Sequence, residues 1–502
     1  MRGLLAATAI LLVAASRASA ADLSASVDDW RQPRERQIVG ELADFVRIPS
    51  VAANPEGLAA MAERLRTELT KRGFEARLIG SDTGAPPVVF GSLQTPGARR
   101  TVTFYAHYDG QPVVPAEWAS APFAPTMRES GDSGSKVVDW QSAKPPYNPE
   151  WRLFGRAASD DKSSIVAFLS AFDALKALDR KPSVNIRIFW EGEEERGSPH
   201  LAQILHENAG LLRSDLWLIG DGPVHQSRTR TIYFGARGDV SVDATVYGAT
   251  RALHSGHYGN WAPNPAALAA LLITQLRAPS GAILIPGYSK DVRPLTPAER
   301  KAIADLPPID SALERELGIA SPEGGEPLTL STMRPALNIV ALQSGVGARA
   351  IPAEATMTID LRLVPDQKPE GVRQLVERYL QKLGWTVVHS DPDAAVRARS
   401  ARIVRLDWSS GYPAFRSDMT SAPGRAVIAT AAKAAGGRVA VLPMMGGSVP
   451  IYLFDEALRI PIVGLPIVNH DNNQHAPNEN ARLRNLWDGI ETYAAILSEL
   501  DW

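Results

Sequence analysis

The sequence predicts an α/β fold, in which a mainly parallel, mixed sheet has helices on both faces and a ferredoxin-like α+β domain is inserted into it. Its 502 residues are enough for more than one domain, and 45% hydrophobic with 22% charged residues is an ordinary globular composition. From residue 22 to about 230, and again after residue 413, strand-length apolar runs alternate with helix-length stretches, as in βαβ units. Between these parts the order becomes β-α-β-β-α-β, which is typical of ferredoxin-like domains.

Hydrophobic periodicity locates the elements of the first α/β part. The helical spacing i, i+3, i+4, i+7 is filled, for example, by Ile165, Phe168, Leu169 and Phe172. In chain order, the patterns predict a helix at residues 58–71, a strand at 102–106, a helix at 163–178, a strand at 184–190, a helix at 201–212 and a strand at 216–219.

The remaining elements complete the inserted domain and the second α/β part. The insert is predicted to contain a strand at 240–246, a helix at 265–276, strands at 336–342 and 356–364, a helix at 369–383 and a strand at 385–389. Residues 279–333 are rich in Pro and Gly and are interpreted as an excursion from this domain. The last part is predicted to contain a helix at 426–435, strands at 439–442 and 461–468, and a closing helix that ends near residue 500.

Composition excludes several classes of function. Lys and Arg total 53 against 55 Asp and Glu, so the formal net charge is −2 and no basic excess is available to bind a nucleic acid backbone. Cysteine is absent, which excludes disulfides, thiol nucleophiles and zinc-thiolate sites. Any metal ion must therefore be bound by nitrogen and oxygen atoms.

The first residues have the pattern of an export signal. Arg2 precedes an apolar run at residues 3–15, and Ala18-Ser19-Ala20 matches an A-x-A cleavage site. The alternative is a buried or membrane-anchored first helix, but thirteen apolar residues are too few to span a bilayer comfortably. We therefore expect a leader at residues 1–20, a periplasmic or secreted protein, and no membrane span after cleavage.

Acidic and histidine side chains cluster where the predicted strands end. The clustered residues are His107 and Asp109 after strand 102–106, Glu191 to Glu195 after strand 184–190, Asp221 after strand 216–219, His470 and His475 after strand 461–468, and Asp160 and Asp161 before helix 163–178. Functional sites of open α/β sheets form outside the carboxyl ends of the strands, so these side chains are expected to meet.

This set of side chains has the chemistry of a metal site. Histidine and carboxylate ligands without thiolate suit Zn²⁺, Mn²⁺ or Co²⁺. One carboxylate can bridge two ions, and another must stay off the metals to act as a general base. Taken singly, Asp160 and Asp161 could be helix N-cap residues and the run 191–195 a solvated turn; the shared position at strand ends favours a metal site.

Six sequence strings together resemble a known family. They are YAHYDGQP, GRAASDDKSS, EGEEERGS, IGDGP, LHSGHYGN and QHAPNE, and they fall in the order of motifs in the di-zinc metallopeptidases that include carnosine dipeptidases, aminoacylases, acetylornithine and succinyl-diaminopimelate deacylases and carboxypeptidase G. The resemblance extends from about residue 40 to the end. It implies a catalytic domain at residues 21–231 and 412–502, and a lid and dimerisation domain at residues 232–411.

The resemblance also implies a role for each clustered residue. Two divalent ions per subunit are expected, Zn²⁺ first, with Mn²⁺ or Co²⁺ as alternatives, and their ligands would be His107, Asp160, Glu195, Asp221 and His475. His107 and Asp221 would bind one ion, Glu195 and His475 the other, and Asp160 would bridge both and form a cis peptide with Asp161.

The remaining catalytic and substrate-binding roles follow from the same resemblance. Asp109 would orient the His107 imidazole, and Glu194 would be the general base for a hydroxide shared by the ions. His254 would stabilise the oxyanion, from the second subunit of a homodimer joined through the inserted domain. Substrate contacts are expected from Arg362, which would bind a carboxylate, and from Asn338, Gly447 and Ser448. His257 and His470 are interpreted as local hydrogen-bonding residues.

Two positions depart from the family pattern. Ser163 follows Lys162 where the family often has Gly, and Ala157 stands where Gly-Arg-Gly is common. Both changes are expected to be tolerated at a loop-to-helix junction.

The expected activity is hydrolysis of dipeptides or short peptides. In the family, Asp at the position of Asp221 is typical of aminopeptidases and dipeptidases, whereas Glu is typical of carboxypeptidases and deacylases. A carboxypeptidase or an N-acyl-amino-acid deacylase on the same site is the first alternative. A binding protein without turnover is the second, and it is disfavoured because Glu194 and all the implied ligands are present.

Overall fold

A computed structural model describes residues 20–345 and 349–502 of the chain. The predicted leader lies outside the described residues apart from Ala20, which begins the first helix. Within the described ranges, no helix is long and apolar enough to cross a membrane.

The helices in the described ranges begin and end as follows. They are α1 (Ala20–Arg31), α2 (Glu35–Val46), α3 (Pro55–Lys71), α4 (Lys162–Ala177), α5 (Leu201–Glu207), α6 (Ser255–Tyr258), α7 (Pro265–Leu276), α8 (Pro297–Ala304), α9 (Asp310–Leu317), α10 (Leu328–Thr332), α11 (Pro369–Lys382), α12 (Ala394–Arg399), α13 (Ala422–Ala434), α14 (Tyr452–Leu458) and α15 (Leu483–Glu499). Local chemistry sets the start of α3, because Asn54 accepts a hydrogen bond from the Gly57 amide and Pro55 occupies the first turn.

The strands are distributed over two main sheets and three small ones. They are β1 (Glu75–Ile79), β2 (Val88–Leu93), β3 (Thr101–His107), β4 (Thr126–Arg128), β5 (Arg152–Phe154), β6 (Asn185–Glu191), β7 (Leu216–Ile219), β8 (Thr231–Tyr233), β9 (Gly235–Ala236), β10 (Gly238–Tyr247), β11 (Leu253–His254), β12 (Ala336–Ser344), β13 (Ala350–Ile351), β14 (Glu354–Leu363), β15 (Thr386–Val388), β16 (Ile403–Trp408), β17 (Phe415–Arg416), β18 (Ala440–Leu442), β19 (Ile462–Gly464) and β20 (Asn480–Arg482).

The larger sheet is mixed and has helices on both faces, so the predicted fold class is confirmed. Its order is β1-β2-β6-β3-β7-β19-β8-β18, with β3 parallel to β6 and β7, β19 parallel to β7, and β1 and β2 antiparallel to their neighbours. Alternate residues of β3, β6 and β7 face two apolar cores: Phe104, Ile188 and Leu218 on the side of α4 and α15, and Tyr105, Phe189 and Trp217 on the side of α5 and α14.

The five-stranded sheet has the order β12-β14-β10-β16-β15. Helices α7 and α11 pack against it through an apolar core that includes Leu272, Leu276, Val376 and Leu380. The predicted last strand, residues 385–389, is only the short edge strand β15. A strand that was not predicted, β16, lies beside β10, the first strand of this domain, and pairs antiparallel with it.

The parallel strands bring their carboxyl ends to one edge of the larger sheet. His107 is the last residue of β3, the acidic run follows β6, and Asp221 follows β7. Because β3, β6 and β7 are neighbours, these side chains converge, and the loop after β19 carries His475 to the same edge.

Candidate metal centre

Two groups of potential metal ligands share one carboxylate. His107, Asp160 and Asp221 form the first group, and Asp160, Glu195 and His475 form the second. Within each group, one ligand atom from each residue lies within 4.8 Å of the others. Asp160 therefore faces both groups, which is the placement needed to bridge two ions.

The distances between ligand atoms fit a small divalent cation. Nε2 of His107 is 2.9 Å from Oδ1 of Asp160, and Nε2 of His475 is 3.2 Å from Oδ2 of Asp160 and 3.1 Å from Oε2 of Glu195. A tetrahedral zinc ion with ligands at about 2.0–2.2 Å holds ligand atoms roughly 3.3–3.6 Å apart. The side chains would need to separate by only a few tenths of an ångström to bind an ion.

The electrostatics of the buried cluster also favour cations. Burial, together with neighbouring carboxylates, raises the pKa of Glu194 and Glu195, and it raises the pKa of Asp221 to about 7. Although burial opposes the effect, His107 and His475 hold the pKa of Asp160 well below its ordinary value. Several carboxylates close together and largely withdrawn from solvent repel one another, and divalent cations would neutralise that charge.

Asp109 connects the histidine to the acidic run. Its Oδ1 lies 3.3 Å from Nδ1 of His107, and its two oxygens accept hydrogen bonds from the backbone amides of Glu194 (3.3 Å) and Glu195 (3.1 Å). The side chain is buried. One carboxylate thus positions a predicted ligand and the backbone that carries the predicted base.

The residue pair before α4 adopts the unusual geometry implied by the resemblance, since the Asp160-Asp161 peptide is cis. Asp161 occupies the N-cap position of α4, but its side chain makes no capping bond to the helix backbone. Ser164 donates a hydrogen bond to it instead. The N-cap interpretation therefore does not account for the side chain of Asp161.

Two glutamines that sequence reasoning missed contact the candidate ligands. Gln111 donates to Oε2 of Glu195 at 2.8 Å, and Gln474 donates to Oδ2 of Asp160 at 2.7 Å. Both lie within quoted motifs, YAHYDGQP and QHAPNE, but a neutral amide has no spacing rule that would single it out. Their contacts orient the ligand carboxylates.

The loop that carries His475 is anchored by an ion-pair cluster. Asp471 accepts from Nη2 of Arg152 at 2.6 Å and from Nη2 of Arg482 at 2.9 Å. Although burial opposes the effect, these guanidinium groups lower the pKa of Asp471 to about 2. The half-exposed His475 therefore follows a segment that two ion pairs tie to Arg152 and Arg482.

The predicted substrate contacts form a second polar cluster. Arg362 donates to the Ser448 hydroxyl at 3.0 Å and to Asp360 at 3.0 Å, and Asn338 donates to the same Asp360 carboxylate at 3.3 Å. The carbonyl of Gly447 accepts from the backbone amide of Arg237 at 3.1 Å. The structure thus brings Arg362, Asn338 and the Gly447-Ser448 turn together.

His254 lies apart from this arrangement. It is exposed at the end of β11, accepts a hydrogen bond from the Gly256 amide at 3.1 Å, and has its ring centroid 4.5 Å from that of His257. Its backbone pairs with Ala350 of β13, and in the described ranges the contacts given for its side chain are with Gly256 and His257.

The comparisons with known proteins agree with this arrangement. The sequence model of peptidase family M20/M25/M40 matches residues 103–499, well over half of the chain. The chain belongs to peptidase family M20/M25/M40. The resemblance seen in the six motifs is therefore confirmed, and the protein is a metallopeptidase of this family. Family membership and the ligand cluster together support binding of divalent metal ions.

Similar proteins align with almost the whole of this family member. The Cys-Gly metallodipeptidase dug1 of Schizosaccharomyces pombe is 28% identical over 93% of this chain and 96% of its own. The Beta-Ala-His dipeptidase of Mus musculus is 26% identical over 92% of this chain and 93% of its own. Among solved structures, the M20 family metallo-carboxypeptidase Sso-CP2 from Sulfolobus solfataricus is 27% identical, covers 92% of this chain and 98% of its own, and has a TM-score of 0.72.

One prediction from the sequence, the location of the protein, is wrong. The pattern of the first residues was expected to mean a periplasmic or secreted protein. Several relatives that align with more than nine-tenths of the chain are dipeptidases of yeasts and mammals, and they support no export. The physical reason for the error is that a short apolar run before small residues is a weak local signal, which says nothing about the fold that follows.

Proposed function

We propose that this M20 peptidase hydrolyses unblocked dipeptides with two divalent ions that are held by the two ligand groups sharing Asp160. Zn²⁺ is the proposed metal. The shared carboxylate is the observation that carries the proposal, because it allows His107 and Asp221 to serve one ion while Glu195 and His475 serve the other. The relatives named Cys-Gly metallodipeptidase and Beta-Ala-His dipeptidase support a dipeptide as the substrate.

Glu194 is the proposed general base. When bound, the two ions supply a Lewis acid for the scissile carbonyl and make water a better nucleophile at neutral pH. The Glu194 carboxylate lies beside both groups but belongs to neither, so it remains free to accept the proton of the attacking water. It then donates that proton to the nitrogen of the leaving amine.

The substrate's carboxylate is proposed to bind Arg362. The guanidinium of Arg362 is half-buried and already holds Ser448, so its remaining donors can form a fork with a carboxylate. Asn338 and Arg362 donate to the same Asp360 carboxylate, and Ser448 of the Gly447-Ser448 turn accepts from Arg362. Together they would fix the end of the substrate while its amide faces Glu194.

A homodimer is proposed to complete the site. Strand β12 is an edge of the five-stranded sheet and exposes Val340 (60%) and Leu342 (57%). An apolar edge strand favours pairing with a second copy. His254 of the partner subunit would then donate a hydrogen bond to the developing oxyanion.

A mixing experiment tests this shared site. Glu194→Ala and His254→Ala proteins should each be inactive, but mixed dimers restore one site that combines an intact Glu194 with an intact His254. Recovery of activity after mixing is the expected result. Inactive mixtures that nevertheless contain mixed dimers would contradict the proposal.

A carboxypeptidase or N-acyl-amino-acid deacylase is the second candidate, favoured by the 27% identity to the Sulfolobus metallo-carboxypeptidase. A panel of Cys-Gly, β-Ala-His and other free dipeptides, matched with N-acetyl amino acids and N-acetyl dipeptides, separates the two candidates. We expect metal-dependent cleavage of the free dipeptides only. Cleavage restricted to the acylated compounds would keep the site but overturn the dipeptidase proposal.

A further inference from the structure

One buried carboxylate outside both ligand groups has an unusual number of donors. The side chain of Glu479 is fully buried and accepts five hydrogen bonds. The donors are Nη1 of Arg156 (2.8 Å), the Ala157 amide (2.9 Å), the Ser159 amide (3.0 Å), the Ser159 hydroxyl (2.9 Å) and the Asp160 amide (3.0 Å). All of them belong to one segment, residues 156–160, which ends in the shared ligand.

Glu479 also lies in the segment that carries the second histidine, four residues after His475. Its backbone carbonyl accepts from the Gly155 amide at 3.0 Å, and the next residue, Asn480, pairs with Phe154 between β20 and β5. The segments that carry Asp160 and His475 are therefore joined at Glu479, through its side chain and through its backbone.

The physical chemistry of burial makes this contact selective. A carboxylate removed from water is strongly unfavourable unless its oxygens are paired. Here the pairing requires residues 156–160 to turn their amides inward, with Ala157 in the left-handed region at φ 62°. Because a non-glycine residue resists that conformation, Glu479 stabilises a backbone path that the segment would not adopt alone.

We propose that Glu479 is a positioning residue that clamps residues 157–160, so that the Asp160 carboxylate stands between the two ligand groups. The inference rests on the proposed function for its consequence, metal binding, but the clamp is a property of the metal-free chain. Glu479 touches neither substrate nor the reacting atoms, and it acts through the Asp160 amide.

The main variant is Glu479→Gln, which keeps the size of the side chain but replaces one accepting oxygen by an NH₂ group. This group cannot accept hydrogen bonds from the surrounding donors. Two controls separate the parts of the clamp: Arg156→Met removes the ion pair and leaves the amide contacts, and Ser159→Ala removes only the hydroxyl contact. Three quantities are measured: the Zn²⁺ affinity by chelator competition, hydrogen exchange of amides 157–160 in chelator-treated protein, and kcat and KM for a dipeptide.

We expect Glu479→Gln to weaken Zn²⁺ binding by about 10–100-fold, the usual cost of losing an outer support of a metal ligand. Exchange of amides 157–160 should accelerate at least about tenfold relative to amides of α15. We expect kcat to fall, KM to change less than about twofold, and both control variants to keep Zn²⁺ affinity within about threefold of wild type.

Two results would overturn the inference. In the first, Glu479→Gln lowers the melting temperature but leaves the Zn²⁺ affinity and the exchange of amides 157–160 as in wild type. In the second, Arg156→Met loses as much Zn²⁺ affinity as Glu479→Gln. If Glu479→Gln does not fold, Glu479→Asp carries the same test, because it keeps the charge but withdraws the oxygens from the Asp160 amide. Unchanged exchange in that variant would overturn the clamp. If the wild-type protein does not bind two ions, the proposed function is refuted. The exchange measurement on metal-free protein still tests the clamp in that case.

Discussion

Replacement of Glu194 by glutamine isolates the proposed proton transfer. Glutamine has the size of glutamate but cannot accept the proton of the attacking water. Glu194 belongs to neither ligand group, so the variant should retain both ions. Its backbone amide would still donate to Asp109, which leaves the neighbouring ligand Glu195 in place.

The expected loss is large and falls on kcat. A positioned general base contributes about 10²–10⁴-fold to a rate, which corresponds to roughly 3–5 kcal/mol of transition-state stabilisation. Binding of the dipeptide's carboxylate at Arg362 is remote from this step, so KM should change less than about threefold.

The adjacent carboxylate provides a matched control. Glu193 is buried, accepts a hydrogen bond from the His200 amide at 3.0 Å and lies 3.0 Å from the His200 ring. Glu193→Gln removes the same charge one residue away and should keep kcat within about threefold of wild type. Both variants are assayed for dipeptide cleavage and for metal content after dialysis.

The result that would refute this reasoning is a Glu194→Gln protein with two bound ions and a kcat within about tenfold of wild type. A different group would then accept the proton. A Glu193→Gln protein as slow as Glu194→Gln would also contradict the assignment, because the two side chains point to different partners.

The other predictions concern metal binding, substrate binding and stability. Asp160→Asn should abolish tight binding of both ions, whereas Asp221→Asn should weaken one, as metal analysis after dialysis will show. Arg362→Met should raise KM for a free dipeptide by about tenfold or more, because charged hydrogen bonds contribute about 1.5–3 kcal/mol. The variant should also no longer prefer a dipeptide with a free C-terminal carboxylate over the same dipeptide with a C-terminal amide. Phe454→Ala should lower the free energy of unfolding in urea by about 3–5 kcal/mol, because its ring is buried in the core beside α5. Asp471→Asn should lower the free energy of unfolding by about 1 kcal/mol at neutral pH, after allowance for solvent screening. Since the pKa of Asp471 is lowered to about 2, this difference should be present above about pH 4 and vanish as the pH falls towards 2.

Each of these predictions has a contradictory outcome. One ion lost from Asp160→Asn would mean that the carboxylate is not shared. An unchanged KM in Arg362→Met would move the carboxylate site elsewhere. A constant difference between Asp471→Asn and wild type from pH 7 to pH 2 would show that the ion pairs do not stabilise the loop.

The sequence predicted which side chains meet at one edge of the larger sheet, because two physical regularities act together there. Buried parallel strands have long apolar runs, and the first polar residue after each run must lie at the edge of the sheet. His107 and Asp221 follow from this reasoning alone. Glu195 and Asp160 needed the family motifs as well, because an acidic turn and a helix N-cap have the same local pattern.

The missed features depend on contacts between distant segments. Strands β1 and β2 were not predicted, and the sheet of the inserted domain ends differently from the prediction because β16 pairs with β10 across more than 150 residues. Gln111, Gln474 and Glu479 act through hydrogen bonds to residues that are distant in sequence. No periodicity or spacing marks such residues, so only the folded chain identifies them.

The most direct test of the central claim is a metal titration in which occupancy and dipeptide turnover are measured on the same chelator-treated samples. If the two ligand groups share Asp160 and act together, turnover should rise as the second ion binds and reach its plateau at two ions per chain. Full turnover at one ion per chain, or turnover that persists in the fully chelated protein, would contradict the account.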